Sequence, residues 1–209
     1  MAGRPRGLAL DAERVYWIAE SDGSGSGGLD PGLVVAAPLD GGAPAPLVTG
    51  LRFPYGLQVA GDSVYVIHRD QVVRAPRSGG TPELLADLQS RVPHALAVGA
   101  HDIFWHEHDD KQVDPLAWAP LAGSPAARHQ LLATAVQRVT LAARGDTLYF
   151  ASPGAVWRMR TTDSAPTLLA ASSQDLTQLQ AGIRLRGFAI DDDRAYWASE
   201  TGVGTVEAR

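Results

Sequence analysis

The sequence predicts an all-β fold, assembled from one four-stranded unit that recurs about five times, and three observations predict it. The first is a repeat with a fixed internal offset. An apolar anchor is followed eight residues later by an aromatic, as in Leu8 and Tyr16, Leu57 and Tyr65, Leu96 and Phe104, Leu141 and Tyr149, and Phe188 and Tyr196. The second is turn chemistry: Gly, Pro and Asp punctuate short runs rich in β-branched and aromatic residues, the pattern of strands joined by tight hairpins. The third is composition. In 209 residues there are 22 Gly, 14 Pro and five Trp but no Cys, with 45% hydrophobic residues, which is enough for a packed core and rules out disulfide staples.

The elements follow in the same order in each unit. The first strand is the anchor segment, Gly7–Leu10 in the first unit, and the second carries the aromatic, Val15-Tyr16-Trp17. A third apolar segment follows, such as Leu33–Pro38, Gln71–Pro76, Leu116–Pro120 or Ala155–Met159. It ends at a turn, among them Asp40-Gly41-Gly42 and Ser78-Gly79-Gly80, where glycine supplies the positive φ a tight hairpin needs. The fourth segment reads Ala45–Val48, Glu83–Ala86, Gln130–Ala133 or Pro166–Ala170. The aromatics are spaced 49, 39, 45 and 47 residues apart, so length variation sits in the loops.

One four-stranded antiparallel sheet cannot bury two apolar faces by itself. Stacking such sheets radially buries both, which is a β-propeller. The expected architecture is one propeller domain over residues 1–209, with blades at approximately 7–49, 50–87, 88–134, 135–173 and 174–209. The last blade is incomplete: it has two strands and a third at Gly204–Arg209, without a fourth. Three outcomes stay open, namely a ring of five blades with a three-stranded last blade, a piece of a larger propeller, and completion by another subunit through the edge at Val203–Arg209.

The pattern Gly-Leu-Ala-Val, polar turn, Val-Tyr-Trp, loop, Val-x-Arg-x-Pro-x-x-Gly-Gly-x-Pro, then Leu-Leu-Ala, resembles the YWTD-like and NHL-like propeller repeats of bacterial envelope and secreted proteins. The resemblance covers essentially the whole chain. It departs from the YWTD form in that Ile18-Ala19, Ile67-His68, His106-Glu107, Ala151-Ser152 and Ala198-Ser199 follow the aromatic pair, never Thr-Asp. Related propellers include receptors, binders, scaffolds and a few lyases and hydrolases, so the resemblance implies a fold before a function.

Charge and segment composition exclude several partners. A net charge of -5, from 18 Lys+Arg against 23 Asp+Glu, argues against nucleic acid. No apolar run approaches the length of a membrane span, and Met1–Arg6 does not open a signal peptide. No compartment follows from these features.

In a propeller the loops joining the fourth strand to the next first strand share a face with those joining the second to the third, and ligands usually bind there. Arg6, Tyr55, His94, Val139 and Arg186 sit two residues before the anchors and so border that face. Its other loops carry Glu20 and Asp22, His68 and Asp70, His106-Glu107-His108-Asp109-Asp110, Ser152, and Ser199-Glu200. The expected ligand-binding set is Arg6, Tyr55, His94, His106, Glu107, His108 and Arg186. The Gly/Ser run 22–28 lacks the Lys-Ser/Thr of a phosphate loop and reads as a loop tip, and Ser172–Asp175 has capping-box spacing for one short helix. No catalytic motif, metal set or cofactor fingerprint emerges. The leading expectation is a non-catalytic module presenting a loop-built face to a protein, peptide or glycan. The alternatives are a lyase or hydrolase using the histidine cluster, and a truncated or engineered propeller without independent function.

Overall fold

A computed structural model describes residues 4–20, 31–88, 92–108, 115–123, 127–132, 139–152, 155–171, 185–199 and 202–207. Among these described residues every regular element is a β-strand, and no helix is long and apolar enough to cross a membrane. The Gly/Ser run, Asp109, Asp110 and the capping-box segment lie outside the described residues.

Blade 1 consists of β1 (Arg4–Leu10), β2 (Arg14–Glu20), β3 (Pro31–Pro38) and β4 (Ala45–Arg52). Blade 2 is β5 (Pro54–Ala60), β6 (Ser63–His68), β7 (Gln71–Pro76) and β8 (Glu83–Asp87). Blade 3 is β9 (Val92–Val98), β10 (Asp102–His108), β11 (Leu116–Pro120) and β12 (His129–Leu132). Blade 4 holds β13 (Thr140–Arg144), β14 (Thr147–Ser152), β15 (Ala155–Arg160) and β16 (Thr167–Ala171). Blade 5 has three strands, β17 (Leu185–Ile190), β18 (Arg194–Ser199) and β19 (Gly202–Glu207). In each sheet the strands follow chain order and the pairings given for them are antiparallel. The architecture is that of a β-propeller with an incomplete last blade.

The chain forms two compact units, Met1–His94 with Ala122–Ala127, and Ala95–Leu121 with Arg128–Arg209. In the first, the core lies between blades 1 and 2. Alternation on β2 and β3 sends Tyr16, Ile18, Val34 and Ala36 to one face, where they meet Leu57, Val64, Val66, Val73 and Ala75 of blade 2. Each Val, Leu or Ile side chain among them contributes about 1.5–3 kcal/mol on removal from water. In the second unit, Phe104 and Leu116 of blade 3 pack with Leu148, Phe150 and Met159 of blade 4. Ala151 and Val156 of blade 4 pack in turn with Ala195 and, less deeply buried, Phe188, Trp197 and Val206 of blade 5. In blades 1 and 3 the repeated aromatic, Tyr16 or Phe104, thus faces the following blade. Trp118 stacks on His129 at 4.6 Å and Trp157 on Phe150 at 5.3 Å, and both pack against the blade 3–4 cluster.

A second device recurs at the turn joining the first and second strands. Asp11 Oδ1 accepts the N–H groups of Glu13 and Arg14 at 2.8 Å, and its Oδ2 accepts the Tyr16 hydroxyl at 2.6 Å and pairs with Arg77. Asp191 repeats the pattern with Asp193, Arg194 and Tyr196. The tyrosine bond leads in holding both aspartates below the usual carboxylate range, and backbone donors add to it. Blades 2 and 4 turn instead on Gly61 and Gly145, at φ of 54° and 53°, where a side chain would be strained. Asp-x-x-Arg-x-Tyr and Gly-Asp are therefore two solutions to one hairpin.

Candidate binding face

At the end of blade 2 where β6 turns into β7, and where β4 leads into β5, the chain changes direction with almost no loop. β4 runs to Arg52, beyond the expected blade boundary at 49, because Leu51 continues the ladder opposite Gly32 and is buried. A single residue, Phe53, separates it from β5. Phe53 takes φ 47° and stays 48% exposed. The β6–β7 hairpin has the two-residue turn Arg69-Asp70, with Arg69 at φ 57°. Among the described residues these are the non-glycine residues with positive φ, and both belong to this corner. Such backbone costs about 1–2 kcal/mol per residue and persists only where neighbours fix it, a feature of functional surfaces.

The neighbours that fix it are polar. The Arg52 N–H donates to His68 Nδ1 at 2.7 Å, spanning from the end of β4 to the end of β6. The Tyr55 hydroxyl donates to the Arg69 carbonyl at 2.8 Å, and the Leu88 N–H donates to the Asp70 carbonyl at 2.8 Å. Tyr55 is the residue skipped in the β5–β6 register between Pro54 and Gly56, so a bulge aims it away from the regular alternation. Burial, with the Asp70 charge behind it, raises the Tyr55 phenol and keeps it a donor. Burial also lowers the His68 imidazole, and the Arg52 and Arg69 charges push the same way. His68 is thus neutral, with Nδ1 as acceptor and the proton on Nε2.

The expected site residues separate. Tyr55 belongs to this corner. Arg6 lies on β1 opposite Ile18, His94 on β9, His108 at the end of β10, and Arg186 is the residue skipped between Leu185 and Gly187, the same bulge position as Tyr55; the side chains of these four lie outside the described residues. His106 and Glu107 are not on a solvated loop. β10 extends through them, with His106 opposite Leu116 and the Glu107 N–H donating to the Pro115 carbonyl at 3.0 Å. His106 is buried in the register position that Ile18 and Ile67 fill in blades 1 and 2. Glu107 is 0% exposed; it accepts Trp105 Nε1 at 2.7 Å and a two-pronged pair from Arg128, Nε at 2.7 Å and Nη2 at 2.6 Å. The Glu107 carboxylate raises the Arg128 guanidinium further still. Among the described residues no three His, Asp or Glu side chains group as metal ligands would.

Phe53 and Arg69 carried no signal as site residues, because nothing in residue type or period marks a non-glycine for positive φ. At the opposite end of blades 1 and 2 lies a cleft of about 340 Å³ lined by Glu13, Arg14, Tyr16, Asp62, Pro76, Arg77 and Ser78. Its best-placed groups are engaged in the Asp11 network, which clasps the two blades together.

No protein-family model and no curated protein matches the chain. Solved structures do. A TolB-like protein of Agrobacterium tumefaciens superposes with a TM-score of 0.69 at 15% identity, over 95% of this chain and 71% of that one. A gluconolactonase of Xanthomonas campestris gives 0.68 at 14% identity, over 97% and 71%. The extracellular domain of a hybrid two-component system from B. thetaiotaomicron gives 0.64 at 13% identity; the match covers 97% of this chain and 27% of that chain, well under two thirds of its length. The likeness shows the propeller fold, a class of protein in which blade number and loops, rather than the sheets, set function.

Proposed function

We propose that the chain acts as one propeller domain over residues 1–209 and is a non-catalytic binding module, whose ligand-facing surface includes the blade 2 corner built from Phe53, Tyr55, His68 and Arg69. The observation that carries this reading is the coincidence of the strained Phe53 and Arg69 with a hydrogen-bonded base beneath them. A half-exposed phenylalanine ring beside two exposed arginines, Arg52 and Arg69, suits a peptide or protein segment offering an apolar side chain next to an acidic one. The groups that best suited acid–base chemistry, His106 and Glu107, support the same reading from the other side. They are buried within blade 3, and the Glu107 carboxylate already has three donor bonds. The gluconolactonase likeness is one of fold.

The test is binding to peptide and glycan arrays by the full chain and by Phe53→Gly. Glycine relaxes the φ of 47° while deleting the ring. The expected result is binding of peptides that carry an apolar residue next to an acidic one, which falls at least tenfold in Phe53→Gly while the melting temperature of the variant does not fall. Silence on the peptides, or binding unaffected by the substitution, overturns the reading.

A further inference from the structure

The cleft between blades 1 and 2 holds more charge than its clasp uses. Asp11 is complete: one oxygen has two backbone donors, and the other has the Tyr16 hydroxyl and Arg77. Arg77 is not. Of its three nitrogens, Nη1 alone makes a hydrogen bond among the described residues. Nη2 lies 3.7 Å from Asp62 Oδ1, beyond hydrogen-bond distance, and Nε is buried with no partner. Arg14, exposed in the same lining, has one long contact, from Nη1 to the Arg77 carbonyl at 3.5 Å.

A clasp that serves structure alone looks different. In the other compact unit Arg144 meets the blade 5 turn with both terminal nitrogens. Its Nη1 donates to the Asp191 and Asp192 carbonyls at 3.1 and 2.6 Å, and its Nη2 pairs with the Asp192 carboxylate. Arg144 is used up by its turn, whereas Arg77 and Arg14 keep donors to spare at a cavity.

Two carboxylates share that lining, Glu13 and Asp62, and both are exposed. No hydrogen bond engages the Glu13 carboxylate among the described residues, and Asp62 has only the long pair with Arg77. The lining therefore balances two positive charges with two negative ones. A simple anion drawn to the arginines is repelled by Glu13 and Asp62, and a simple cation meets the reverse, so a ligand carrying both charges is selected over either. The cavity, about 340 Å³, is at the lower end of the range of about 300–1,000 Å³ for small-molecule sites.

We propose that the cleft binds a small zwitterion, a free amino acid or dipeptide, with its carboxylate on Arg14 and Arg77 and its ammonium group on Glu13 and Asp62. Planar guanidinium groups match a carboxylate in shape as well as in charge. Exposed Pro76 offers an apolar surface beside them. The proposal is independent of the Phe53 corner, which lies at the opposite end of the same blades.

Calorimetric titration with L-leucine and with the dipeptide leucyl-leucine tests it, each beside its N-acetylated and its amidated form. At about pH 7 the free forms carry both charges, and each blocked form lacks one. The expected result is saturable binding of at least one free form, with both its blocked forms weaker by about tenfold or more. Arg14→Gln lowers the affinity of the free form about tenfold without lowering the melting temperature, since Arg14 is exposed. Glu13→Gln with Asp62→Asn brings the N-acetylated form close to the free one, because its carboxylate is no longer repelled. Absence of saturable binding by both free forms overturns the proposal, as do blocked forms that bind as well as free ones. So does binding unchanged by Arg14→Gln, or an N-acetylated form still excluded by the double variant. Phe53→Gly keeps the wild-type affinity for these probes; its loss there would move them to the blade 2 corner and overturn the assignment to the cleft.

Discussion

His68 and Glu107 occupy the same place in two blades, three residues beyond the repeated aromatic, and the fold uses them in opposite ways. In blade 3 the polar group is taken inside. Glu107 has no exposure, its two oxygens are filled by Arg128 and Trp105, and its strand runs on beyond it. In blade 2 the strand stops at His68, which is half-buried, and a two-residue turn follows at once. His68 spends one nitrogen on the neighbouring backbone and leaves the surrounding Phe53, Arg52 and Arg69 exposed. What separates them is the supply of partners. A carboxylate that meets a guanidinium inside the sheet becomes structure, whereas an imidazole that meets a single N–H at the sheet edge supports a surface.

The comparison breaks first at Glu107. Glu107→Ala strands Arg128, whose side chain is mostly buried at 22% exposure, and leaves the Trp105 indole N–H without its acceptor. Removing one partner of a buried pair costs about 3–5 kcal/mol, and partial solvation of Arg128 puts this case near about 3 kcal/mol. His68→Ala removes one acceptor from the Arg52 N–H and should cost about 1 kcal/mol. Urea denaturation of both variants measures the contrast. Equal losses would show that the two positions are not used differently. A double variant, Glu107→Leu with Arg128→Met, should recover most of the Glu107→Ala loss, because well-packed apolar groups replace a buried pair at little cost.

Much of the fold was legible because it repeats. An offset of eight residues between anchor and aromatic can arise only if the same hairpin is built each time, and the Gly-Gly and Asp-x-x-Arg turns mark where its strands end. The three-stranded last blade followed from the same count. The site was less legible. His106-Glu107-His108 looked like a solvated loop because a run of titratable residues usually is one; nothing local shows that Arg128, 21 residues on, comes back to neutralise Glu107. Tyr55 was legible as a candidate through its place before an anchor. Phe53 was not, because its strain comes from two strands meeting with one residue between them, and that is set by the register of β4 against β3 rather than by residue type.

The smallest effect sharpens the comparison further, through pH. The His68 imidazole titrates below its ordinary value of about 6.5 in the folded chain, so around and below that pH the unfolded chain binds more protons than the folded one. Its contribution to stability is therefore complete above about pH 6.5 and is lost as the pH falls through the folded value. Protonation also places a proton on Nδ1, where the Arg52 N–H now donates, and sets a cation beside Arg52 and Arg69, with the Asp70 carboxylate alone opposing. His101 works in the opposite sense. Its bond to Asp146, at 2.7 Å, raises its titration, so that contribution is present in acid and fades as the pH rises past 6.5. The two are separated by difference: melting temperatures of the wild type and His68→Gln, recorded from pH 7.5 down to 5, should diverge above 6.5 and converge below it. For the ligand-facing corner the same protonation frees the Arg52 N–H, so binding by the Phe53 surface should weaken over the same pH range. Parallel melting curves would place His68 with Glu107, as a group the fold has simply absorbed.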